Sequence, residues 1–455
     1  MTTAGKKIVH TEGESNTSDA RGRWLAGRDH AATRQLLERD AQAFLHQSLS
    51  TPCLSTVAKA EGIWIEDTAG RRYMDFHGNS VHHIGYAHPK VVAAIKAQLD
   101  ELTFAPRRYA CEPAVELAET LGRLSPFESA RVLFTTGGSD AIEVALKVAR
   151  AATGRFKTLS FWDAFHGAGF GAASVGGEAT FRSHIAGPMM TGTEHVAPWD
   201  GYRCPYGHAT LEASGEACAN MVDYVLGREG DVAAVVAEPM RATPNPPPPG
   251  FWKRVREACN RHGALLIFDE IPTGLGKTGK FFAHEHDGAT PDIVVLGKAL
   301  GGGILPIAAV IARADLDVAG GFAIGHYTHE KNPVTSRAAL ATIEVIRSEG
   351  LAERAAELGA HALDRMRELM ARSPHVGDVR GRGLLFGVEL VEDRDTKRPA
   401  REMAERVFYG CLDRGLSFKI SQGNVLTLSP PLIISREDLD RALDVVEEAV
   451  LSAEA

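Results

Sequence analysis

His262–Gly303 reads HGALLIFDEIPTGLGKTGKFFAHEHDGATPDIVVLGKALGGG, and this stretch decides the fold of the chain. Two short apolar runs within it, 264–268 and 293–296, have the length and the branched-residue content of buried parallel strands. Asp269 follows the first run and Lys298 follows the second, with glycines after each. Because the carboxyl ends of parallel strands line the ligand crevice of an open sheet, we expect this acid and this amine to face one site.

An acid and an amine in this arrangement suit a pyridine aldehyde cofactor. Lys298 would form the Schiff base, and Asp269 would keep the ring nitrogen protonated, since a nearby carboxylate favours the cationic form. Each residue also has an ordinary interpretation, because an Asp after a strand often caps a helix and a Lys in a loop is usually solvated. Their joint placement at two strand ends favours a site but does not by itself name the cofactor.

Length and composition indicate a two-lobed globular enzyme. The chain has 455 residues, of which 44% are hydrophobic and 24% charged, and its 50 basic and 58 acidic side chains give a net charge of −8. This balance gives no support for a nucleic-acid-binding surface. No apolar run approaches the roughly 18 residues that span a bilayer, and the first residues lack a secretory signal. We therefore expect a cytoplasmic protein that needs no membrane.

The six cysteines are scattered without a Cys-x-x-Cys pair, which is typical of reduced, structural thiols. Cys204, His208 and Cys218 lie near one another in sequence, but their spacing matches no zinc pattern. We therefore predict no metal site.

Along the chain, residues 1–28 lack periodic apolar positions and are interpreted as an arm, mobile or laid on a partner subunit. Residues 62–76 alternate between apolar and polar side chains on either side of a turn, a pattern that is typical of a β-hairpin. A fold of the α/β class is predicted, with a mostly parallel, doubly wound sheet in the large domain and a smaller α+β domain. The predicted strands of the large sheet are 132–134, 158–161, 233–237, 265–268 and 293–296. The predicted divisions are 1–76 (arm and part of the small domain), 77–345 (large domain) and 346–455 (small domain).

Four further segments were assigned from local patterns. Residues 89–102 and 113–124 read as amphipathic helices that begin with Pro in the first turn. Residues 336–372 read as one long helical stretch, and 381–390 as a strand. The hairpin at 62–76 is expected to belong with the small domain.

Residues 135–150 are predicted to form the end of a strand, a glycine turn and the start of a helix. Gly138 and Ser139 lie within this segment. Free backbone N–H groups at a helix start form an anion cradle, in which Gly138 allows close approach and Ser139 adds a hydroxyl. The alternative is a tight turn in which Ser139 only caps its helix.

Other polar or aromatic groups follow the remaining strands. Phe165 and His166 follow a predicted strand, where an aromatic ring could stack on a planar ligand or simply fill the core. Glu238 ends another strand and, if buried, must be paired, so we expect it to orient a group in the site. Thr328 lies in a polar loop that could supply a phosphate contact or be only solvated.

The chain resembles the class III aminotransferase family of fold-type I, pyridoxal-phosphate-dependent enzymes. The matching motifs are GGSDA at 137–141, FHG at 165–167, AEP at 237–239, FDEIPTGLGKTGK at 268–280, GKALGGG at 297–303 and SPPLII at 429–434. They appear in the family's order over nearly the whole chain.

The resemblance implies pyridoxal 5′-phosphate as cofactor and a homodimer as the minimum unit, with further pairing of dimers left open. Lys298 would carry the cofactor and Asp269 would pair with the pyridinium. Phosphate would be held by Gly138, Ser139 and a Thr328 donated across the dimer interface, and Phe165 would stack on the ring. The same motifs imply that cofactor contacts also come from His166, Glu238 and Ile271.

Two positions depart from the family pattern. Pro272 stands where the family commonly has Gln, which removes a donor near the cofactor's phenolic oxygen. The run Leu426–Leu428 lacks the Arg with which many members bind an amino-acid carboxylate. Since a buried carboxylate without a cation is costly, these departures argue against ordinary transamination.

The residues expected to face the substrate are Asn79, Ser80, Arg107 and Arg108, and the Arg pair could equally be solvated. The stretches that contain them resemble an ammonia-lyase subgroup of phosphonate breakdown, the (R)-1-hydroxy-2-aminoethylphosphonate ammonia-lyases. The leading hypothesis is therefore elimination that forms phosphonoacetaldehyde and ammonia. The alternatives are an aminotransferase that moves an amine to a 2-oxo acid, and a catalytically idle protein that binds pyridoxal phosphate.

Overall fold

The computed structural model describes residues 18–28, 30–47, 50–182 and 186–454. Most of the arm expected over 1–28, namely 1–17, lies outside the described residues. The α-helices are α1 Asp19–Ala26, α2 Ala31–Ala43, α3 Pro89–Glu101, α4 Glu112–Leu124, α5 Gly138–Thr153, α6 Phe170–Val175, α7 Leu211–Glu229, α8 Phe251–His262, α9 Pro333–Ser348, α10 Leu351–Arg372, α11 Arg401–Asp413 and α12 Arg436–Ala453. The strands are β1 Lys59–Glu61, β2 Trp64–Glu66, β3 Arg72–Asp75, β4 Ala130–Thr135, β5 Lys157–Phe161, β6 Thr193–Val196, β7 Val232–Ala237, β8 Leu265–Asp269, β9 Ile293–Leu296, β10 Ala308–Arg313, β11 Val376–Arg382, β12 Leu385–Asp393, β13 Arg398–Pro399, β14 Leu416–Ser417, β15 Lys419–Ser421 and β16 Val425–Leu428.

The large sheet has the strand order β4-β10-β9-β8-β7-β5-β6. Strand β10 runs antiparallel to β4 and β9, and the other neighbouring strands run parallel. All five strands predicted for this sheet are present, which confirms the mostly parallel α/β fold. The sequence pattern did not reveal β6, in which three of the four residues are polar, or β10, a run of mostly Ala, Val and Ile that ends in Arg. Apolar content alone does not reveal the direction of a strand, so the reversal at β10 was also missed.

Helices cover both faces of this sheet, as in other doubly wound folds. Helix α5 packs on one face against β7, β9 and β10, where buried aliphatic side chains form one core. Helices α7 and α8 cover the other face, where the core includes Trp199, Phe251 and Trp252. The central strands β7 and β9 are buried at every position, which explains their continuous apolar sequence.

A second sheet, β11-β12-β16-β15, packs with α10, α11 and α12 in the C-terminal part of the chain. Strand β3 pairs in parallel with β14, so the N-terminal hairpin joins C-terminal elements as expected. The stretch expected to be one helix over 336–372 is two, α9 and α10, because the chain turns at Gly350 with φ +60°. The strand predicted over 381–390 is confirmed over 385–390, in β12, but residues 381–382 belong to β11, because Gly383, with φ +55°, turns the chain between these antiparallel strands.

No α-helix in the described part of the chain combines the length and the apolar character needed to cross a bilayer.

Candidate active site

Asp269 and Lys298 lie at the same edge of the large sheet. Strands β8 and β9 run parallel, and Asp269 pairs with Val295. Lys298 comes three residues after Val295 in the chain. Asp269 is 1% exposed. Lys298 is partly buried and begins a short 3₁₀ turn with φ +44°, a left-handed conformation that a Lys adopts only at a cost. The sheet therefore brings the acid and the amine together.

The Asp269 carboxylate is held by two hydrogen bonds. His166 Nδ1 donates to Asp269 Oδ2 over 2.8 Å, and the Ile271 backbone N–H donates to Oδ1 over 3.0 Å. Because a carboxylate only accepts, the His166 proton lies on Nδ1. Both side chains are buried. This arrangement fixes the direction of the carboxylate, as a group that must face a ring nitrogen requires.

The anion cradle predicted at Gly138 and Ser139 forms the start of α5. The N-cap residue Gly137 gives no side-chain cap, so the first backbone N–H groups of this helix are available to an anion. The Ala168 N–H donates to Ser139 Oγ over 3.0 Å, which leaves the hydroxyl proton of Ser139 to donate. A Cβ at Gly138 would lie 2.7 Å from Ile271 Cδ1, so any larger residue here would force the Ile271 side chain to shift.

Ile271 links three elements of the site. Its side chain packs against Gly138 at the start of α5, and a Cβ at Gly297 would lie 3.4 Å from it. Gly297 immediately precedes Lys298 after β9. Ile271 thus sets the spacing between the anion cradle and the lysine, and a direct contact with a cofactor stays a prediction.

Phe165 and Glu238 belong to loops that follow β5 and β7. The Phe165 ring is partly buried and lies 4.5 Å, centroid to centroid, from the ring of Phe181. Glu238 is buried, and its Oε2 accepts from the Ala242 N–H over 2.6 Å. Glu238 therefore shapes its own loop at the edge of the sheet that carries Asp269.

Thr328 and Arg107 form one surface. Arg107 Nη2 lies 2.7 Å from His326 Nε2, in the loop of Thr328, and Thr328 and Arg108 are exposed. The Tyr327 hydroxyl donates to the Asp140 carbonyl of α5 over 3.4 Å. Within one chain, Arg107 therefore lies against the loop that carries the exposed Thr328, and the same loop contacts the start of α5 through Tyr327.

Asn79 and Ser80 lie in a turn of unusual conformation. Gly78, Asn79 and Ser80 have φ values of +45°, +47° and +60°, and their turn packs on the turn that begins at Lys298. Non-glycine residues pay for this conformation, and such strain concentrates at functional sites.

Asp75 anchors this turn, a role that the sequence reading missed. Its carboxylate accepts from the N–H groups of His77 and Gly78 and, over 2.5 Å, from the Tyr86 hydroxyl. Burial and the neighbouring Asp75 raise the pKa of Tyr86, which therefore stays a donor. The spacing Asp-x-His-Gly is a signal of a side-chain-capped turn that could have revealed Asp75.

Lys277 is a buried cation that was also not anticipated. It is 0% exposed, and its Nζ donates to the Pro430 carbonyl over 2.7 Å. Burial lowers the pKa of Lys277 to about 7. Burial, and then the charge of Lys277, hold the pKa of the neighbouring His83 well below its usual value. Lys277 thus ties the loop after β8 to the segment after β16.

The run Leu426–Leu428, which lacks an Arg, contains a hydroxyl pair in the structure. Thr427 Oγ1 donates to Ser421 Oγ over 2.8 Å, and both residues are buried. The hairpin of β15 and β16 therefore presents neutral hydroxyls at this point.

Cys204, His208 and Cys218 do not form a metal site in the structure. Over the ranges that the structure describes, no three His, Cys, Asp or Glu side chains cluster as metal ligands.

The residues at this sheet edge fit a phosphorylated pyridine aldehyde. A buried carboxylate oriented by His166 suits a protonated ring nitrogen, free N–H groups at the start of α5 suit a phosphate, and Lys298 supplies the amine. Phe165 supplies an aromatic side chain beside His166.

Comparisons with known proteins agree with this chemistry. The model of the family "Aminotransferase class-III" matches residues 46–450. An (R)-1-hydroxy-2-aminoethylphosphonate ammonia-lyase of Vibrio splendidus is 46% identical, over 98% of this chain and 96% of its own. A leucine/methionine racemase of Thermococcus litoralis is 39% identical over 92% of this chain and 96% of its own. A PLP-bound amine transaminase from an uncultivated Pseudomonas species superposes with a TM-score of 0.85, at 32% identity, over 90% of this chain and 99% of its own.

Proposed function

We propose a function from the premise that this chain belongs to the class III aminotransferase family and is a pyridoxal 5′-phosphate enzyme. The function is an ammonia-lyase that converts (R)-1-hydroxy-2-aminoethylphosphonate into phosphonoacetaldehyde and ammonia. The reaction is a net rearrangement of one substrate into two products, and it consumes no oxidant and no amine acceptor. It therefore differs from transamination in needing no second substrate.

One observation carries this proposal. The relative that is 46% identical over 98% of the chain is named for this reaction, whereas the racemase and the amine transaminase are less similar. The buried Thr427–Ser421 hydroxyl pair gives further support. A 2-oxo acid acceptor brings a carboxylate that needs a cation, and these neutral hydroxyls do not supply one at the position where many relatives carry an Arg.

The chain's own residues divide the work. When bound, the cofactor supplies an electron sink for the carbon that bears the amine. Lys298 Nζ removes the proton from that carbon, and Asp269, oriented by His166, keeps the ring nitrogen protonated. The start of α5 at Gly138 and the Ser139 hydroxyl hold the phosphate.

The bond that breaks joins the neighbouring carbon to its hydroxyl oxygen. The electron pair of the removed C–H bond forms a carbon–carbon double bond, and the hydroxyl leaves with a proton as water. The released enamine takes up water and loses ammonia, so atoms and electrons balance with phosphonoacetaldehyde as the second product. In these reaction steps, Lys298 Nζ acts as both the proton acceptor and the proton donor.

A homodimer is part of the proposal. Arg107 lies against the loop that carries Thr328, and Phe322, six residues before Thr328 in the chain, is 79% exposed. An aromatic ring so exposed favours burial by a partner. A second copy of the chain would cover this surface and carry Thr328 to the phosphate site of its neighbour.

The decisive assay gives the purified holoenzyme the hydroxylated aminophosphonate without any oxo acid. Ammonia and aldehyde should then form over many turnovers. A reaction that stalls until pyruvate or 2-oxoglutarate is added would instead indicate an aminotransferase, and an unchanged cofactor spectrum would indicate a protein that only binds the cofactor.

Lys298→Ala tests the role of the lysine in the same assay. Turnover should fall by about 10⁴-fold, since this change removes the proton-transferring group. The matched control is Lys280→Ala, which alters an exposed lysine of the same segment and should leave the rate unchanged. Retained activity in the Lys298 variant would contradict the assigned role.

A further inference from the structure

The proposed function requires a cation for the phosphonate, because a dianion must be paired when it leaves water. Several cations near the site already have polar partners. Lys277 donates to the Pro430 carbonyl, and Arg107 lies against His326. The buried Arg241 donates to the Asp163 carbonyl over 3.2 Å and lies 4.0 Å from the carboxylate of that residue.

Arg182 differs from these cations. It is partly buried, and its guanidinium makes no hydrogen bond to the described residues, whereas Arg241 has polar partners; its Nε, like that of Arg241, is shielded from solvent without an acceptor. No Asp or Glu of the described residues forms an ion pair with it, and burial alone lowers its pKa. A guanidinium in this position has lost part of its hydration and has gained no anion in return.

Arg182 lies beside the proposed cofactor site. It directly follows Phe181, whose ring contacts Phe165, and Phe165 precedes the His166 that holds Asp269. The Arg182 guanidinium lies 5.1 Å from the centre of the Trp162 ring, and Trp162 follows β5 at the sheet edge that carries the site. The Arg182 side chain therefore lies over the Trp162 ring, and the residue before it packs on Phe165.

Trp162 in turn stacks on His195, with the ring centroids 4.5 Å apart. Burial, and then the charge of Arg182, lower the pKa of His195 to about 4. At neutral pH this histidine is uncharged, so Arg182 provides the positive charge of the stacked group formed by Trp162, Arg182 and His195.

We propose that Arg182 binds the phosphonate of the substrate and is the residue that selects an anionic substrate. This inference rests on the proposed function, which supplies the phosphonate. A planar guanidinium donates two parallel hydrogen bonds to phosphonate oxygens. Because the Trp162 ring already restricts the conformations of the Arg182 side chain, less conformational entropy is lost on binding. The sequence reading assigned this role to Arg107 and Arg108.

The test compares two ligands that differ at one substituent, which is anionic in one and neutral in the other. The hydroxylated aminophosphonate is matched by 1-amino-2-propanol, in which a methyl group replaces the phosphonate. Binding of each to the holoenzyme is followed by titration of the cofactor absorbance, so the readout does not require turnover. The variants are Arg182→Gln, which keeps the stem and removes the charge, Arg182→Lys, and Arg107→Gln as the competing assignment.

Arg182→Gln should weaken binding of the aminophosphonate by about 100-fold, the range of charge-assisted hydrogen bonds, and leave 1-amino-2-propanol unaffected. Arg182→Lys should recover part of the lost affinity, because the lysine ammonium keeps the positive charge but lacks the two parallel donors of a guanidinium. An equal loss for both ligands would show that Arg182 only supports the fold and would overturn the assignment. So would a charge-selective loss in Arg107→Gln alone, or a failure of the unmodified enzyme to bind the aminophosphonate.

The same titration separates this inference from the lyase proposal. An enzyme that binds the aminophosphonate through Arg182 but releases no ammonia without an oxo acid would refute the lyase and leave the role of Arg182 supported. If the enzyme releases ammonia and Arg182→Gln binds the aminophosphonate as tightly as the unmodified enzyme does, the lyase is supported and the role of Arg182 is refuted.

Discussion

Two regions of the site differ in how they are built. The floor, defined as Asp269, Lys298, Gly138 and Ser139, lies on strand ends and a helix start. The rim, defined as Asn79, Arg107, Arg182 and Thr328, lies in loops and turns. Floor residues are buried or partly buried and packed through Ile271, whereas Asn79 and Thr328 are exposed. The difference teaches that the residues proposed to hold the cofactor lie on rigid packed elements, while those proposed to choose the substrate lie in loops that can change without disturbing the sheet.

The physical reason is that a polar group left without a partner costs more free energy in the buried floor than in the partly solvated rim. The Asp269 carboxylate is almost fully buried, so each of its partners must be supplied by the fold. Arg107 and Arg182 keep part of their surface in water, which tolerates incomplete pairing. Substitutions in the floor should therefore reduce the chemical step for every substrate, and substitutions in the rim should affect substrates selectively.

After the loss expected for Lys298→Ala, the largest effect is expected for Asp269→Asn. The amide oxygen can still accept from Ile271, so the fold should persist, but the charge that keeps the ring nitrogen protonated is lost. We expect kcat to fall by about 10²- to 10³-fold for the aminophosphonate and for 1-amino-2-propanol alike. Steady-state kinetics on both compounds measure this. A loss confined to one substrate would break the division between floor and rim.

A smaller effect is expected from the pH dependence of the buried Lys277. Its pKa is about 7 in the folded chain and about 10.5 when unfolded, so the unfolded chain binds more protons between these values. The free energy of unfolding should therefore rise with pH from about 7 to 10, by at most about 1.4 kcal/mol per pH unit from this group. Below pH 7 Lys277 is charged in both states and adds no slope.

Denaturant titrations of the holoenzyme at pH 7 and pH 9 measure this slope. Lys277→Met should lose the rise, whereas Lys280→Met, at the exposed lysine nearby, should keep it. A wild-type slope in Lys277→Met would contradict the assignment and would place the titrating group elsewhere in the chain.

The smallest effect is expected at Asn79 in the rim. Asn79→Gly relieves the left-handed conformation and Asn79→Ala strains it, so the alanine variant should be less stable by about 1 kcal/mol. Both variants lack the amide. If this amide contacts the substrate, KM should rise by a similar factor of about 3 to 10 in both, with kcat little changed. A KM effect in the alanine variant alone would assign the role to the backbone of the turn.

The sequence was most informative where one short segment contained the whole signal. Asp269 and Lys298 each follow an apolar run, and the pairing of β8 with β9 brings them to one edge. It was least informative where a contact joins distant segments, as between Arg107 and His326 or between Arg182 and Trp162. An Arg in a polar stretch has the same appearance whether it is solvated or buried without a partner.

By itself the sequence determined the family, the cofactor and the α/β fold, because these depend on local apolar runs and on motifs whose spacing is set by the backbone. The tertiary structure alone decided the antiparallel course of β10, the strained turn held by Asp75 and the position of Arg182 over the Trp162 ring. These features arise from burial and from contacts between segments far apart in the chain. A linear pattern carries no information about which of its polar groups will lose water when the chain folds.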